Sequence, residues 1–330
     1  MTKFLLFAAL SLLMVIMAIG LGSVFIPPLT VVRILFFDGS VTYPVESAII
    51  HSLRLPRIVM AYLTGAGLSL SGAMMQSVLK NQLASSFTIG TSTGAAVGAS
   101  IAILSGATFL GMATIPFFGF VFASLTVFVS IGLAHRLGGL ENTTIILVGM
   151  ALSFFGSSVI TILMALNSES LQRLIFWQMG SVVGISSAHT LLLFGIVSFG
   201  FLLALFKHRE LDILTLDDVS ANTLGVNVRG NKWFLLLLSA LITGSLVSFV
   251  GIIGFVDLFT PPLARKVVGS RHLLVLPMSA ILGGSFMVLS DLMARTLFSP
   301  IELPIGAVTA FIGGPLFIFL YFKGAQHAST

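Results

Sequence analysis

Charged side chains inside long apolar segments are the residues of this sequence that could do chemistry. Asp257 and Asp291 are the acidic residues within predicted membrane spans, and Arg295 follows Asp291 by four positions. Residues four apart share a helix face, so Asp291 and Arg295 can pair and lower the cost of their burial. Asp257 has two open interpretations, a functional carboxylate or a residue that faces water at a broken helix. A proton-coupled carrier usually needs more ionisable groups across the bilayer than these.

Motifs of metal-dependent and nucleotide-dependent chemistry are missing from the sequence. It has no HExxH and no cluster of histidines, because its six histidines are scattered near predicted helix ends. It also lacks cysteine and the GxxxxGK motif of ATP-binding P-loops. We therefore predict no enzymatic activity, no catalytic residue, no metal site and no cofactor for the chain itself. If ATP drives its function, a separate subunit must bind and hydrolyse it.

The composition places the chain in a membrane. Apolar residues make up 57% of it and charged residues 8%, whereas an ordinary soluble domain is about one quarter charged. Too little charge remains to cover a globular surface. In a membrane protein, basic residues usually set the orientation of the spans. The net charge of +5 therefore does not indicate nucleic-acid binding.

Ten apolar segments approach the length of about 20 residues that a membrane span needs. They cover residues 4–26, 57–79, 88–106, 114–134, 143–166, 188–206, 233–250, 252–268, 272–296 and 304–322. We therefore predict an all-α fold, a polytopic membrane bundle of about ten transmembrane helices in a single domain over residues 1–330. The first segment is too long for the apolar region of a signal peptide, so we expect a helix there. The eighth contains Pro261 and Pro262, which predict a short or discontinuous helix shielded from lipid.

Basic residues indicate the orientation of the spans. Ten spans place both termini on one side, and if that side is the cytoplasm, 11 of the 16 lysines and arginines lie inside. This agrees with the positive-inside rule, so we expect a multi-pass protein of the cell membrane with both termini cytoplasmic. Arg54, Arg57 and Arg295 are exceptions on the outer side. They can snorkel to the outer headgroups or pair internally with Asp291.

The inner connection at residues 207–232 is the most charged stretch of the chain. Leucines alternate there with Asp212, Asp217 and Asp218, which predicts short amphipathic helices. A surface for a partner protein is one explanation, and a solvated linker is the other.

Short motifs recur in a fixed order along almost the whole chain. They are RLPR at 54–57, NQLA at 81–84, LGV at 224–226, GIIGFV at 251–256, PPLAR at 261–265, DLMAR at 291–295, ELPIG at 302–306 and GGP at 313–315. Together they resemble the FecCD-type permease subunits of iron-siderophore, heme and cobalamin ABC importers. Each motif is weak alone. Their order and spacing on a ten-span pattern are specific.

The resemblance implies the permease half of an ATP-driven importer. Its substrate would be an iron chelate, a ferric siderophore first and heme or cobalamin next. The implied partners are two ATPase subunits that bind ATP and magnesium, an extracytoplasmic substrate-binding protein, and a second permease that is identical or homologous. The alternative is a secondary, ion-coupled transporter, which the small number of charges within the spans disfavours.

The resemblance also implies roles for particular residues. Docking of the binding protein falls to the outer arginines Arg54, Arg57 and Arg295, whose fork of donors suits carboxylates. The cytoplasmic gate would consist of Asn81, Leu83, Glu141 and Asn142. Coupling to the ATPase, through the coupling loop at 207–232, would involve Asp217, Ala221, Leu224 and Gly225. Three positions depart from the family pattern, because Gln82, Asp257 and Pro262 stand where proline, glycine and histidine are usual.

Overall fold

Helices make up the regular structure of the chain. The structure, a computed structural model, describes residues 2–22, 24–37, 42–138, 141–167 and 170–328, and no strand forms within these ranges. The helices are α1 Thr2–Gly20, α2 Pro28–Phe36, α3 Pro44–Ile49, α4 Leu55–Val78, α5 Thr91–Ser105, α6 Thr114–Gly138, α7 Asn142–Leu166, α8 Leu171–Gln178, α9 Ser187–Phe206, α10 His208–Leu214, α11 Asp218–Thr223, α12 Val228–Val250, α13 Val256–Val268, α14 His272–Thr296 and α15 Ile305–Ala328. The predicted all-α class is confirmed.

Each of the ten predicted spans coincides with a helix. In chain order these are α1, α4, α5, α6, α7, α9, α12, α13, α14 and α15. Seven helical stretches among the described residues are long and apolar enough to cross a membrane. α5 and α13 are shorter, with 15 and 13 residues. The prediction of a polytopic membrane bundle with about ten spans is confirmed.

The second span is longer than its apolar run. α3, a π-helical turn at Ile50–Arg54 and α4 follow one another without a break, which gives a helical stretch of 35 residues. Pro44 stands in the first turn of α3, where its missing N–H leaves no helical hydrogen bond unmade. α4 itself begins at Leu55, two residues from the predicted start at 57, and the helical stretch extends the span further, to Pro44.

α4 is the central helix of the bundle. Of the most apolar 18-residue window in its helical stretch, 89% is buried, against 22% for α1 and for α7. It packs mainly on α14, and next on α12 and α13. Glycine permits the contact with α14, because a Cβ added to Gly65 would lie 2.0 Å from the carbonyl oxygen of Gly283. Small residues of this kind let helix backbones approach closely.

α4 and α14 run antiparallel and bond to each other at both ends. Arg57, near the start of α4, bonds to Asp291, near the end of α14. Ser77, near the end of α4, lies beside His272 at the start of α14. We call the first of these the arginine end of the bundle and the second the loop end, because the connection at 207–232 lies there.

The eighth span is a short helix, one of the two forms predicted for it. α12 ends at Val250, and four non-helical residues, 251–254, separate it from the N-cap of α13. The backbone N–H of Ser181 donates to the Val250 carbonyl at 2.7 Å. A Cβ on Gly251 would lie 2.1 Å from the carbonyl oxygen of Trp177. Irregular backbone at this depth is thus packed against other protein segments, as it must be within a bilayer.

Candidate functional site

The three arginines predicted to dock a binding protein meet at one cavity, which we call the arginine cavity. Its volume is about 540 Å³, and Arg54, Arg57 and Arg295 form its wall together with Gly22 and Glu302 among others. Arg54 ends the π-helical turn, Arg57 lies in the first turn of α4, and Arg295 lies in the last turn of α14. The antiparallel packing of α4 on α14 therefore gathers cations that are distant in the sequence.

Arg57 is the main partner of two carboxylates. Its Nε donates to Oδ1 of Asp291 at 2.9 Å, and its Nη1 donates to Oε1 of Glu302 at 3.1 Å. Asp291 is buried, whereas the Glu302 side chain is 47% exposed. The predicted pair of Asp291 and Arg295 is present at 3.5 Å between Oδ2 and Nε. The closer partner, Arg57, agrees with the alternative that the outer arginines pair internally with Asp291.

Arg54 and Arg295 hold the end of α1. Nη1 of Arg54 lies 2.7 Å from one α1 carbonyl oxygen and 3.0 Å from the next, and Nη2 of Arg295 lies 2.6 Å from another. The four carbonyls that accept from these two arginines, at the end of α1 or just beyond it, are those of Ala18, Ile19, Gly20 and Val24. The last carbonyls of a helix lack partners within the helix and favour cations. Both arginines therefore have a structural role in addition to any role in docking.

The gate loop, residues 79–90, joins α4 to α5 at the loop end. Oδ1 of Asn81 accepts from the backbone N–H of Leu83 at 2.8 Å, which is the side-chain turn that asparagine favours. The structure thus brings Asn81 and Leu83 together. Both line a cleft of about 610 Å³, whose other wall includes Pro262 and Arg265 of α13. Leu83 is 47% exposed.

The other two predicted gate residues lie elsewhere in this chain. Glu141 is exposed and precedes α7, and Asn142 begins that helix. Oδ1 of Asn142 accepts from Nζ of Lys232 at 2.9 Å. Neither residue lines the cleft that holds Leu83. Within one chain, the gate residues therefore form two separate groups.

Asp257 is buried, so the interpretation that it faces water is wrong. Its side chain is 1% exposed. Oδ2 accepts from the backbone N–H of Ser86 at 2.9 Å and from its hydroxyl at 2.7 Å. The carboxylate thereby ties the first turn of α13 to the gate loop. Sequence analysis missed Ser86, which shares no short spacing with Asp257.

The coupling loop contains two short helices, α10 and α11, as predicted. Its final residues belong to α12, which begins at Val228, so the predicted boundary at 232 is too late. Leu211 and Leu214 of α10 are buried. α10 therefore lies with its apolar side against the bundle.

The four predicted coupling residues play different parts in α11. Asp217 is its N-cap and accepts from the Ser220 hydroxyl and backbone N–H, and these hydrogen bonds lower the pKa of Asp217. Ala221 is buried, so it packs inside the loop rather than at its surface. Gly225, with φ of +81°, ends the helix in the left-handed conformation that glycine favours. Leu224, at 61% exposure, is the one that presents an apolar side chain outward.

Asp218 links the coupling loop to the gate loop, a contact that sequence analysis missed. Its Oδ1 lies 2.6 Å from Nζ of Lys80, and its Oδ2 lies 2.8 Å from Nζ of Lys232. Partial burial raises the pKa of Asp218, but the hydrogen bonds and charges of the two lysines outweigh this and lower it. Lys80 is the second residue of the gate loop, so α11 and the gate loop are held together by charge.

Comparison with known proteins identifies the family of this chain. The model of the FecCD transport family matches residues 10–323. The chain belongs to the FecCD transport family. A FecCD protein is a multi-pass membrane permease, which agrees with the bundle described above.

Individual relatives extend over nearly the whole FecCD chain. An uncharacterised ABC transporter permease, YvrB of Bacillus subtilis, is 36% identical over 95% of this chain and 90% of its own length. The hemin transport permease HmuU of Yersinia pestis is 32% identical and covers 84% of each chain. A solved structure described as an inward-facing metal-chelate type ABC transporter matches with a TM-score of 0.84 and 31% identity, over 97% of this chain and 98% of that one. Further relatives are named as permeases for cobalamin, molybdate, iron(3+)-hydroxamate and iron(3+)-citrate.

Proposed function

We propose that this chain is a permease subunit of an ABC importer that moves an iron chelate across the cytoplasmic membrane. The observation that carries the proposal is the family match over residues 10–323 together with a coupling loop that is ion-paired to the gate loop. Three of the relatives above are named for iron complexes, namely hydroxamate, citrate and hemin. A ferric siderophore is therefore the first substrate to test, with hemin, cobalamin and molybdate as the comparisons.

The ATPase would contact the outer side of α11. Val219 and Leu224 are both largely exposed on this helix, and an apolar side chain offered from a short helix suits a groove on a partner. Ala221 would act by keeping α11 packed on the bundle. ATP and magnesium would bind to the ATPase and not to this chain.

The binding protein would dock at the arginine cavity. Glu302 already forms an ion pair with Nη1 of Arg57. An acidic side chain of the binding protein would therefore replace Glu302 at Arg57 or bind beside it. The rigid fork of arginine suits such carboxylate capture. Arg54 and Arg295 would add positive potential while they continue to hold α1.

Both termini would face the cytoplasm. Because the natural sequence contains no cysteine, single cysteines can report the orientation directly. A cysteine at Val219 is expected to react with an impermeant maleimide only after intact cells are opened, and one at Ser52 is expected to react before. The reverse pattern would show the opposite orientation.

Uptake in proteoliposomes tests the function. Vesicles would contain this chain, its ATPase and its binding protein, and uptake of iron-loaded siderophore, hemin, cobalamin and molybdate would be compared with ATP and with a non-hydrolysable analogue. We expect ATP-dependent uptake of one iron chelate. Uptake without the ATPase, driven by a proton gradient, would favour the ion-coupled alternative. The described structure does not favour that alternative, since Asp257 and Asp291 are both bonded to fixed partners.

A further inference from the structure

A series of buried polar contacts crosses the loop end and begins in the coupling loop. His272 is the first residue of α14 and is 1% exposed. Its Nδ1 lies 2.6 Å from Oδ1 of Asp212 in α10, and its backbone N–H donates to the same oxygen at 2.8 Å. A carboxylate from α10 therefore caps the N-terminus of another helix, where negative charge is favourable.

The contacts continue into α4 and α13. Nε2 of His272 lies 2.6 Å from the hydroxyl oxygen of Ser77. Arg265 of α13 donates to that hydroxyl at 3.0 Å through Nη2, and to Oε1 of Gln76 at 2.8 Å through Nη1. The histidine ring and the guanidinium thus join three helices, α14, α4 and α13, through two neighbouring residues of α4.

The contacts end at the gate loop. Nε2 of Gln76 donates to the carbonyl oxygens of Asp257 and Leu258, at 3.2 and 3.0 Å. The carboxylate of Asp257 in turn holds Ser86 of the gate loop through two hydrogen bonds. An unbroken series of contacts therefore runs from the coupling loop to the gate loop.

Most side chains of this series are deeply buried. Gln76, Ser77, His272 and Asp257 are each exposed by 3% or less. Polar groups at this depth cost stability unless they are paired, and apolar residues of similar volume would pack these helices at least as well. The Ser77 hydroxyl has one hydrogen and two acceptors within reach, the Ala73 carbonyl and His272 Nε2. The Ser77 hydrogen can therefore pass from one acceptor to the other when the contacts shift.

We propose that these residues position the gate loop according to the position of the coupling loop. We call the set the polar relay, and its members are Asp212, His272, Ser77, Arg265, Gln76, Asp257 and Ser86. A movement of α10 displaces the cap of α14, and the shared bonds of Ser77 and Arg265 carry that displacement to α13 and Ser86. The proposal rests on the proposed function in one respect, because it takes the ATPase as the partner that moves α10.

A single cysteine at Leu83 reports the gate loop without any transport assay. The Leu83→Cys chain is placed in nanodiscs, and its rate of maleimide labelling is measured. Asp212→Ala breaks the first contact of the relay and is expected to raise the rate about fivefold or more, the size of a modest coupling between distant sites. Glu210→Gln is the matched control, because Glu210 lies on the same helix but pairs with Lys207 outside the relay. It is expected to leave the rate unchanged.

A second variant guards against simple unfolding. Asp212→Asn keeps an oxygen acceptor for His272, so it is expected to retain the wild-type melting temperature and to give a rate between those of the wild type and Asp212→Ala. Unchanged rates in Asp212→Ala and in Ser77→Ala would overturn the proposal. An equal increase in Glu210→Gln would also overturn it, since that would indicate general loosening of the loop.

The complete importer gives an independent readout. We expect the complex with Asp212→Ala to hydrolyse ATP but to lose most of its uptake. When Leu83→Cys is also present, ATP should no longer change the rate of maleimide labelling. Uptake at the wild-type rate by that complex would overturn the relay and leave the importer proposal standing. Absence of ATP-driven uptake in the wild type would remove the importer proposal, while the nanodisc result would still decide the relay.

Discussion

Gly72 of α4 lies directly against the backbone of Asp257 in α13. A Cβ added to Gly72 would stand 2.1 Å from the Asp257 carbonyl oxygen. Because the clash is with backbone, no side-chain rotation can relieve it. The contact therefore sets how closely α13 approaches the central helix, and it places the Asp257 carboxylate beside the gate loop.

Replacement of Gly72 by alanine is expected to destabilise the protein. The added methyl group overpacks the interface between α4 and α13 and should cost about 1–3 kcal/mol or more. A thermal melt of the purified protein in detergent or nanodiscs measures the loss.

Gly195 in α9 provides the matched control. No atom outside the adjoining part of α9 lies within 4 Å of a Cβ added there, so Gly195→Ala is expected to melt at or slightly above the wild-type temperature. Equal melting temperatures for the two variants would contradict the close contact at Gly72.

Substitution of Arg57 is expected to have two separable effects. Arg57→Gln leaves the buried carboxylate of Asp291 with only the longer contact to Arg295, which should cost about 3 kcal/mol. It should also weaken binding of the binding protein. Thermal melting and surface plasmon resonance measure the two effects.

The double variant Arg57→Gln with Asp291→Asn separates stability from docking. Removal of both charges should restore most of the melting temperature, because no buried charge is left without its partner. Affinity for the binding protein should stay low. Recovery of affinity together with stability would show that Arg57 acts through the fold alone.

Arg54 is expected to matter for the end of α1. Arg54→Met removes the donors from three carbonyl groups, and each buried acceptor left without a partner costs about 1–3 kcal/mol. Hydrogen–deuterium exchange over residues 17–26 should therefore accelerate. Arg33→Met, on the exposed side of α2, is the control, and faster exchange in that variant alone would refute the assignment.

The attachment of α11 is expected to weaken in acid. The two lysines lower the pKa of Asp218, so the stability they confer is present above the ordinary aspartate pKa. It is lost as the pH falls through the lowered value. Hydrogen exchange in α11, corrected for the intrinsic rate at each pH, should rise only below the ordinary range. In Asp218→Asn it should be raised already at neutral pH and should vary less with pH.

Features that depend on local composition were predictable. The ten spans follow from apolar runs, and the pairing of Asp291 with Arg295 follows from helical spacing. The prolines of α13 indicated a short eighth helix, although the helix continues through both of them. In each case the physical cause lies within a few residues of its effect.

Contacts between distant residues left no such signal. Ser86 and Asp257 are 171 positions apart, and Lys80 and Asp218 are 138 apart, so no periodicity relates them. The helical extension to Pro44 left no clear hydropathy signal for another reason. Glu46, His51 and Arg54 interrupt its apolar residues.

The central position of α4 has a consequence for how the protein is made. Its helical stretch has the lowest mean hydropathy of the seven candidate spans, 1.5, yet it is the second span to leave the ribosome. The helices that enclose it, α12, α13 and α14, are synthesised more than a hundred residues later. During synthesis the serine and glycine faces of α4 must therefore wait beside lipid, the insertion machinery or a chaperone until the last third of the chain arrives.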